Sequence, residues 1–189
     1  ADNSETLDGY GVSAQATILP GLKLGAAYTE TYFSQDVKDA IPGLEGSAQY
    51  TILGASYSSE LFDLGAVWAT QRNGDAVHLS ALVEGAPAIV PVVFDGDGLE
   101  LYARANLGRF SVLSGFVDYA PDAIDDRVDT DFRVRYLILG GEMQIRKNGY
   151  AYAEWRIDDS RGAQGNEGTS VFTIGLRYGF AVKGLHGQF

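Results

Sequence analysis

Charged side chains of both signs recur in this chain at alternate positions between small or apolar neighbours. Glu100 and Arg104 stand this way in GLELYARANL, Glu154 and Arg156 in YAYAEWRID, and Arg177 in VFTIGLRYGF. Lys23, Asp118 and Glu142 occupy comparable positions, as do Gln15 and Gln71. Charges held on one face of successive strands share a common space. Opposite signs there set a transverse field that sorts ions by charge and width, with no bond made or broken. The plainer alternative is a set of solvated residues, or salt bridges that fill a closed interior. Bond-making chemistry has little to work with. The chain has no cysteine, which excludes thiolate nucleophiles, thiolate metal sites and disulfides. His78 and His186 are its only histidines, and neither stands in His-x-Glu or His-x3-His spacing. No Gly-x-Ser-x-Gly turn is present. His78 with Asp75 is the one pairing a barrel enzyme could use. Asp122, Asp125, Asp126, Asp129 and Asp131 cluster in one stretch. They lack the glycine and closing glutamate of a calcium loop, so the expectation is a solvated acidic loop. No catalytic residue, metal set or cofactor is expected.

The elements that position these charges are strands. Gly9–Ile18 places Tyr10, Val12, Ala14, Ala16 and Ile18 on one face, with Gly11, Ser13, Gln15 and Thr17 on the other. That is the period of two of a β-strand. The same alternation appears in 22–32, 47–57, 62–72, 98–107, 110–119, 133–145, 149–158 and 169–180. On the apolar faces stand Leu22, Leu24, Ala26 and Tyr28, then Leu53 with Tyr57, then Leu64 with Trp68. Leu99 and Leu101, Trp155 with Ile157, and Phe172 through Tyr178 continue the series. In 110–119, Leu113, Gly115, Val117 and Tyr119 are assigned to the apolar face, and Ser114, Phe116 and Asp118 to the polar one. About nine strands result. A tilted strand of about 9–11 residues spans a bilayer core. No apolar run reaches the roughly 18 residues of a membrane helix, but alternation hides the hydrophobicity of barrel strands.

The connections alternate in length. Residues 19–21, 58–61, 108–109 and 146–148 are short; 33–46, 73–97, 120–132 and 159–168 are long. A meander with short turns at one end and long loops at the other is the plan of an outer-membrane barrel, whose short turns face the periplasm. A soluble sandwich, the competing fold, has no reason to sort its loops. The stretch 73–97 contains the apolar runs Val77–Val83 and Ala86–Phe94, interrupted by Gly85, Pro87 and Pro91. It reads as an external hairpin, a subunit latch or a loop folded inward. The net charge of −11 argues against a nucleic-acid partner. Concentrated in the long loops, it predicts an electronegative mouth with mild preference for cations.

Residues 136–180 carry a resemblance. Leu139-Gly140-Gly141-Glu142, the turn Arg146-Lys147-Asn148, the aromatic strand Tyr152–Asp158 and the ending Tyr178-Gly179-Phe180 together resemble the C-terminal part of general diffusion porins of Gram-negative bacteria. Asp8-Gly9-Tyr10-Gly11 and Ala26-Ala27-Tyr28 extend it more weakly. The resemblance implies an all-β, antiparallel up-and-down transmembrane barrel in the outer membrane. It implies a water-filled channel for passive diffusion of small hydrophilic solutes and ions, formed by a homotrimer in contact with outer-membrane lipid and lipopolysaccharide. Lys23, Glu100, Arg104, Asp118, Glu142, Glu154, Arg156 and Arg177 would line the pore. Tyr28, Trp68, Tyr119, Trp155, Tyr178 and Phe180 would stand at the membrane interfaces. Porins of this kind have about sixteen strands, so nine read as the C-terminal half of a barrel over 1–180. The tail Ala181–Phe189 breaks the alternation and reads as an extension. A complete small barrel, with Val77–Val83 as an extra strand and a structural or adhesive role, is the alternative.

Overall fold

A computed structural model describes residues 9–40, 44, 46–83, 86–123, 132–162 and 167–179. Nine strands run through them: β1 (Gly9–Leu19), β2 (Leu22–Tyr32), β3 (Ser47–Ser58), β4 (Phe62–Val83), β5 (Ala86–Leu107), β6 (Phe110–Ala123), β7 (Val134–Arg146), β8 (Gly149–Asp158) and β9 (Val171–Tyr178). They form one antiparallel sheet in sequence order. A single helical turn and a half, α1 (Gln35–Ala40), sits in the first long connection.

Register follows from the short turns. Pro20-Gly21 joins β1 to β2, with Gly21 at φ 86°. Its carbonyl accepts the Ser58 N–H at 2.9 Å, tying the first two turns together. Opposite residues of an antiparallel pair share a face, so the pairing can be followed across the sheet. One row runs Ala16, Leu24, Ala55, Ala66, Leu101, Phe116, Leu137, Ile157. The next row runs Thr17, Lys23, Ser56, Gly65, Tyr102, Gly115, Ile138, Arg156. The first row is apolar and the second, apart from Ile138, small or polar, as the alternation predicts.

The apolar side is not packed against protein. Phe172, Ile174 and Leu176 are 63%, 74% and 78% exposed. Among the described residues, apolar burial is confined to the rim of the long connections, where Leu44 and Val93 pack with Phe33. A water-soluble sandwich would place these residues in its core. Here the side chains that water rejects face away from the rest of the molecule.

Two expectations change. First, β6 is inverted. Leu101 pairs with Phe116 and Arg104 with Leu113, so Phe116 and Asp118 lie on the apolar face, and Leu113, Val117 and Tyr119 on the polar one. β6 carries large apolar residues on both faces, so its period does not fix its phase. The Gly108-Arg109 turn does, by pairing Leu107 with Phe110. Second, the strands expected over 62–72 and 98–107 are longer, and of the readings given for 73–97 the hairpin is the one observed. Strands β4 and β5, each 22 residues, continue through it as a hairpin paired from Val77↔Val92 to Val83↔Ala86. Pro87 and Pro91 lie on a stretch of β5 paired with β4 alone, since β6 begins to pair only at Phe94; an edge tolerates a missing N–H. Two register shifts, between Gln71 and Gly74 and between Gly74 and Val77, separate this hairpin from the sheet below. Val77–Val83 is therefore an extension of β4, not a tenth strand. The sheet is open: among the described residues, β1 and β9 each pair on one side only.

Gly21 gives a direct test of the turn that starts the register. A Cβ there would lie 2.3 Å from the Ser58 carbonyl oxygen, whereas Gly108, at φ 71°, has nothing within 4 Å. Gly108→Ala should cost only the left-handed backbone strain, about 1–2 kcal/mol. Gly21→Ala should cost more, read as a larger drop in the urea midpoint of the detergent-folded protein.

Candidate functional site

The polar face gathers the charges. Lys23, Glu100, Arg104, Glu142, Glu154, Arg156 and Arg177 all lie on it by register. Strands β4 to β9 bring four of them into two ion-pair groups.

The larger group is centred on Glu142 of β7, whose side chain is only 6% exposed. One carboxylate oxygen accepts the Arg177 guanidinium from β9 at 2.8 Å. The other accepts Arg104 from β5. Arg104 also donates through Nε to Asn106 Oδ1 at 2.9 Å and through Nη2 to Ser111 Oγ at 3.1 Å. Ser111 donates to Asn106 at 3.2 Å. The Asn106 amide reaches Asp63 at 3.3 Å, and Ser58 donates to the other Asp63 oxygen at 2.5 Å. At the far end the Arg177 guanidinium lies 5.2 Å from the centre of the Tyr150 ring. The result is a continuous polar belt from the end of β3 to β9, near the short turns. Two carboxylates and two guanidinium groups balance within it. A carboxylate this enclosed is held in place by its charged partners, because an unpaired charge there would lose its hydration.

The second group is smaller. Arg156 meets Asp158 at 3.0 Å and lies 5.7 Å from the Tyr136 ring centre. Lys23 and Glu100 instead line an open cavity of about 470 Å³ with Gln15, Tyr102 and Val117. Among the described residues Lys23, Glu100 and Glu154 make no ion pair, which leaves them to face water.

Asp118 stands apart from this set. It lies on the apolar face opposite Leu99 and takes two bonds from Arg133, at 2.8 and 2.7 Å. Hydrogen bonding and charge from Asp118 raise the pKa of Arg133, which precedes β7. Arg135 and Asp159 pair nearby at 3.7 Å. This is a charged patch at the long-loop end of the outer face, not part of the polar lining. Tyr119 is displaced in the opposite sense: it lies on the polar face, and its hydroxyl oxygen accepts the Gln71 side-chain amide at 2.5 Å.

Tyr28, Trp68, Trp155 and Tyr178 do lie on the apolar face. The Tyr28 and Tyr10 hydroxyls both donate to Glu30, at 3.0 and 2.9 Å. Ser47 donates to the other Glu30 oxygen at 2.5 Å. These bonds explain how a carboxylate is tolerated on that face. Phe180, Asp125, Asp126, Asp129, Asp131, His186 and the tail 181–189 lie outside the described residues. So do the side chains of His78 and Asp75, although the backbone pairs His78 with Pro91.

Alternation alone did not single out Asp63, Asn106, Ser111, Tyr136, Tyr150 and Asp158. Each sits at the same parity as the charges it contacts, so the signal existed. It needed the inter-strand register to be read.

No family model matches the chain. Over 176 residues it is 23% identical to outer membrane porin F of Xenorhabdus nematophila, covering 92% of this chain and 48% of that protein. The fold is that of solved outer-membrane β-barrels. A loop L8 deletion mutant of OmpT, an outer membrane protein of Vibrio cholerae, superposes with a TM-score of 0.58 at 15% identity, over 90% of this chain and 53% of that one. OmpT of Vibrio cholerae expressed in the outer membrane superposes with 0.53 at 16% identity, over 89% and 55%. The chain spans about half the length of each of these proteins.

Replacing Glu142 tests the belt. Glu142→Gln leaves Arg104 and Arg177 facing each other without their anion. A double-mutant cycle of Arg104→Gln with Glu142→Gln should give a coupling of about 1–3 kcal/mol in unfolding free energy. Coupling near zero would mean that the belt holds nothing together.

Proposed function

We propose that this chain forms part of the wall of an outer-membrane porin, a water-filled channel through which small hydrophilic solutes and ions diffuse passively. The observation that carries this reading is the two-faced sheet. Its apolar residues are exposed on one side across all nine strands, and charged residues of both signs are gathered on the other. Lipid suits the first surface and water the second. The similarity to outer membrane porin F over most of the chain supports the same assignment. The short turns 20–21, 59–61, 108–109 and 147–148 would face the periplasm and the long connections the exterior.

Seven residues would line the pore: Lys23, Glu100, Arg104, Glu142, Glu154, Arg156 and Arg177. No bond-breaking step is proposed; field and width do the selecting. The wall continues beyond these strands, because a bilayer leaves no backbone group of β1 or β9 without a partner. Neighbouring strands are antiparallel, so β1 and β9 run in the same direction. Closing an all-antiparallel barrel between them takes an odd number of additional strands. The small-residue outer faces, with Ala14 and Ala16, Ala103 and Ala105, and Ala151 and Ala153, would meet either lipid or further copies in a trimer. Lipopolysaccharide would meet the long-loop end. A second reading rests on the Glu142 belt: salt bridges of this kind can also plug a closed barrel with a structural or adhesive role.

Conductance separates the two. Reconstituted in planar bilayers, the native protein containing this chain should open stepwise channels that pass K⁺ more readily than Cl⁻, given the net charge of −11. Its Glu142→Gln variant should shift the reversal potential toward anions. A folded protein that passes no current has a plugged barrel, and equal permeability to the two ions would remove the electronegative mouth.

A further inference from the structure

One cationic cluster takes no part in the belt. At the short-turn rim the Gly108-Arg109 and Lys147-Asn148 turns lie side by side. Gln144 joins them: its N–H donates to the Arg109 carbonyl at 2.8 Å. Its own carbonyl accepts Arg109 Nε and Nη2 at 3.3 and 3.1 Å, and its side-chain amide donates to the Lys147 carbonyl at 3.0 Å. Arg109, Gln144, Arg146 and Lys147 line an open cavity of about 280 Å³. Three cations meet there in a chain with 25 acidic and 14 basic residues. Among the described residues none of the three makes an ion pair with a carboxylate. Arg109 is already immobilised by two of its five donors, which leaves the others for an anion.

What surrounds the cavity narrows the anion. The strand ends that carry these turns show on their outer face Leu107, Phe110, Met143, Ile145 and Tyr178, with exposures of 62%, 55%, 38%, 42% and 66%. Phe110 and Met143 are paired across β6 and β7. Cationic turns at the end of an exposed apolar strip match an amphiphile whose phosphate is joined to acyl chains. A soluble anion would make no use of the strip.

We infer that Arg109, Arg146 and Lys147 bind the phosphate headgroup of an acidic phospholipid at the short-turn rim, with its acyl chain along Phe110, Met143 and Ile145. The inference rests on the outer-membrane reading, and specifies which lipid chemistry that rim prefers. The site would anchor the barrel at a fixed depth, since three cations in one place hold it level with the headgroups.

Native mass spectrometry of the detergent-solubilised protein tests it, with phosphatidylglycerol and phosphatidylethanolamine added in equal amounts. The unaltered protein should retain phosphatidylglycerol at least about tenfold more often. The variant Arg109→Gln/Arg146→Gln/Lys147→Gln should lose that preference. Arg109→Lys/Arg146→Lys, which conserves charge, should keep it, and so should Arg72→Gln at the opposite end. Equal retention of the two lipids, or undiminished preference in the triple glutamine variant, would overturn the inference. Displacement of the lipid by millimolar inorganic phosphate would assign the pocket to a soluble anion and overturn it as well. Conductance on the same preparations keeps the two claims apart: loss of current with lipid preference intact would count against the pore alone.

Discussion

A backbone surrounded by hydrocarbon has no water to bond with, and that constraint governs this sheet. Every peptide group inside it must find another peptide group. The result is an antiparallel ladder of nine strands in sequence order, unbroken from β1 to β9. Register shifts occur only at strand ends and at the base of the β4–β5 hairpin. Because the ladder is continuous, parity is preserved from strand to strand. An outward position on β2 leads to outward positions on β3, β4 and beyond. The segregation of apolar from charged side chains over the whole sheet is a consequence of that continuity.

The polar face shows what the segregation makes room for. Charges that would be costly in hydrocarbon are collected where they can pair or meet water. Glu142 is the most enclosed and is also the most fully partnered, by Arg104 and Arg177 from two other strands. Lys23 and Glu100, on the open cavity, have no such partner among the described residues. The same logic governs the exceptions on the apolar face. Glu30 is held by two tyrosine hydroxyls and a serine, and Asp118 by a two-bond arginine contact. Both lie toward the long connections, where the protein leaves the hydrocarbon.

Much of this was legible in the chain itself because alternation is a strong signal wherever the two faces differ in polarity. The strands with Leu99 and Leu101 against Glu100 and Arg104, or Phe172 through Tyr178 against Arg177, are of that kind. Strand β6 is not. With Val112, Leu113, Phe116 and Val117 adjacent, either phase satisfies the pattern, and the assignments of Asp118 and Tyr119 were reversed. Length was the second blind spot. The prolines at 87 and 91 read as loop breakers, but an edge strand tolerates a missing N–H, so β5 runs on past them. Side-chain partnerships such as Ser111 with Arg104 depend on which residues lie opposite one another. That information resides in turn geometry, not in composition.

The central claim is that one face of the sheet meets lipid while the other meets water. This chain holds no cysteine, so a thiol placed in it reports its own position. Leu101 and Tyr102 are consecutive on β5, both well exposed at 44%, and differ only in the face they occupy. Single cysteines placed at the two positions, in protein reconstituted into liposomes, would be challenged with a membrane-impermeant thiol reagent. The account predicts rapid labelling at 102 and protection at 101, with both sites labelled after denaturation. Equal labelling of the two positions in the bilayer would contradict it, because that would mean both faces of the sheet are wet.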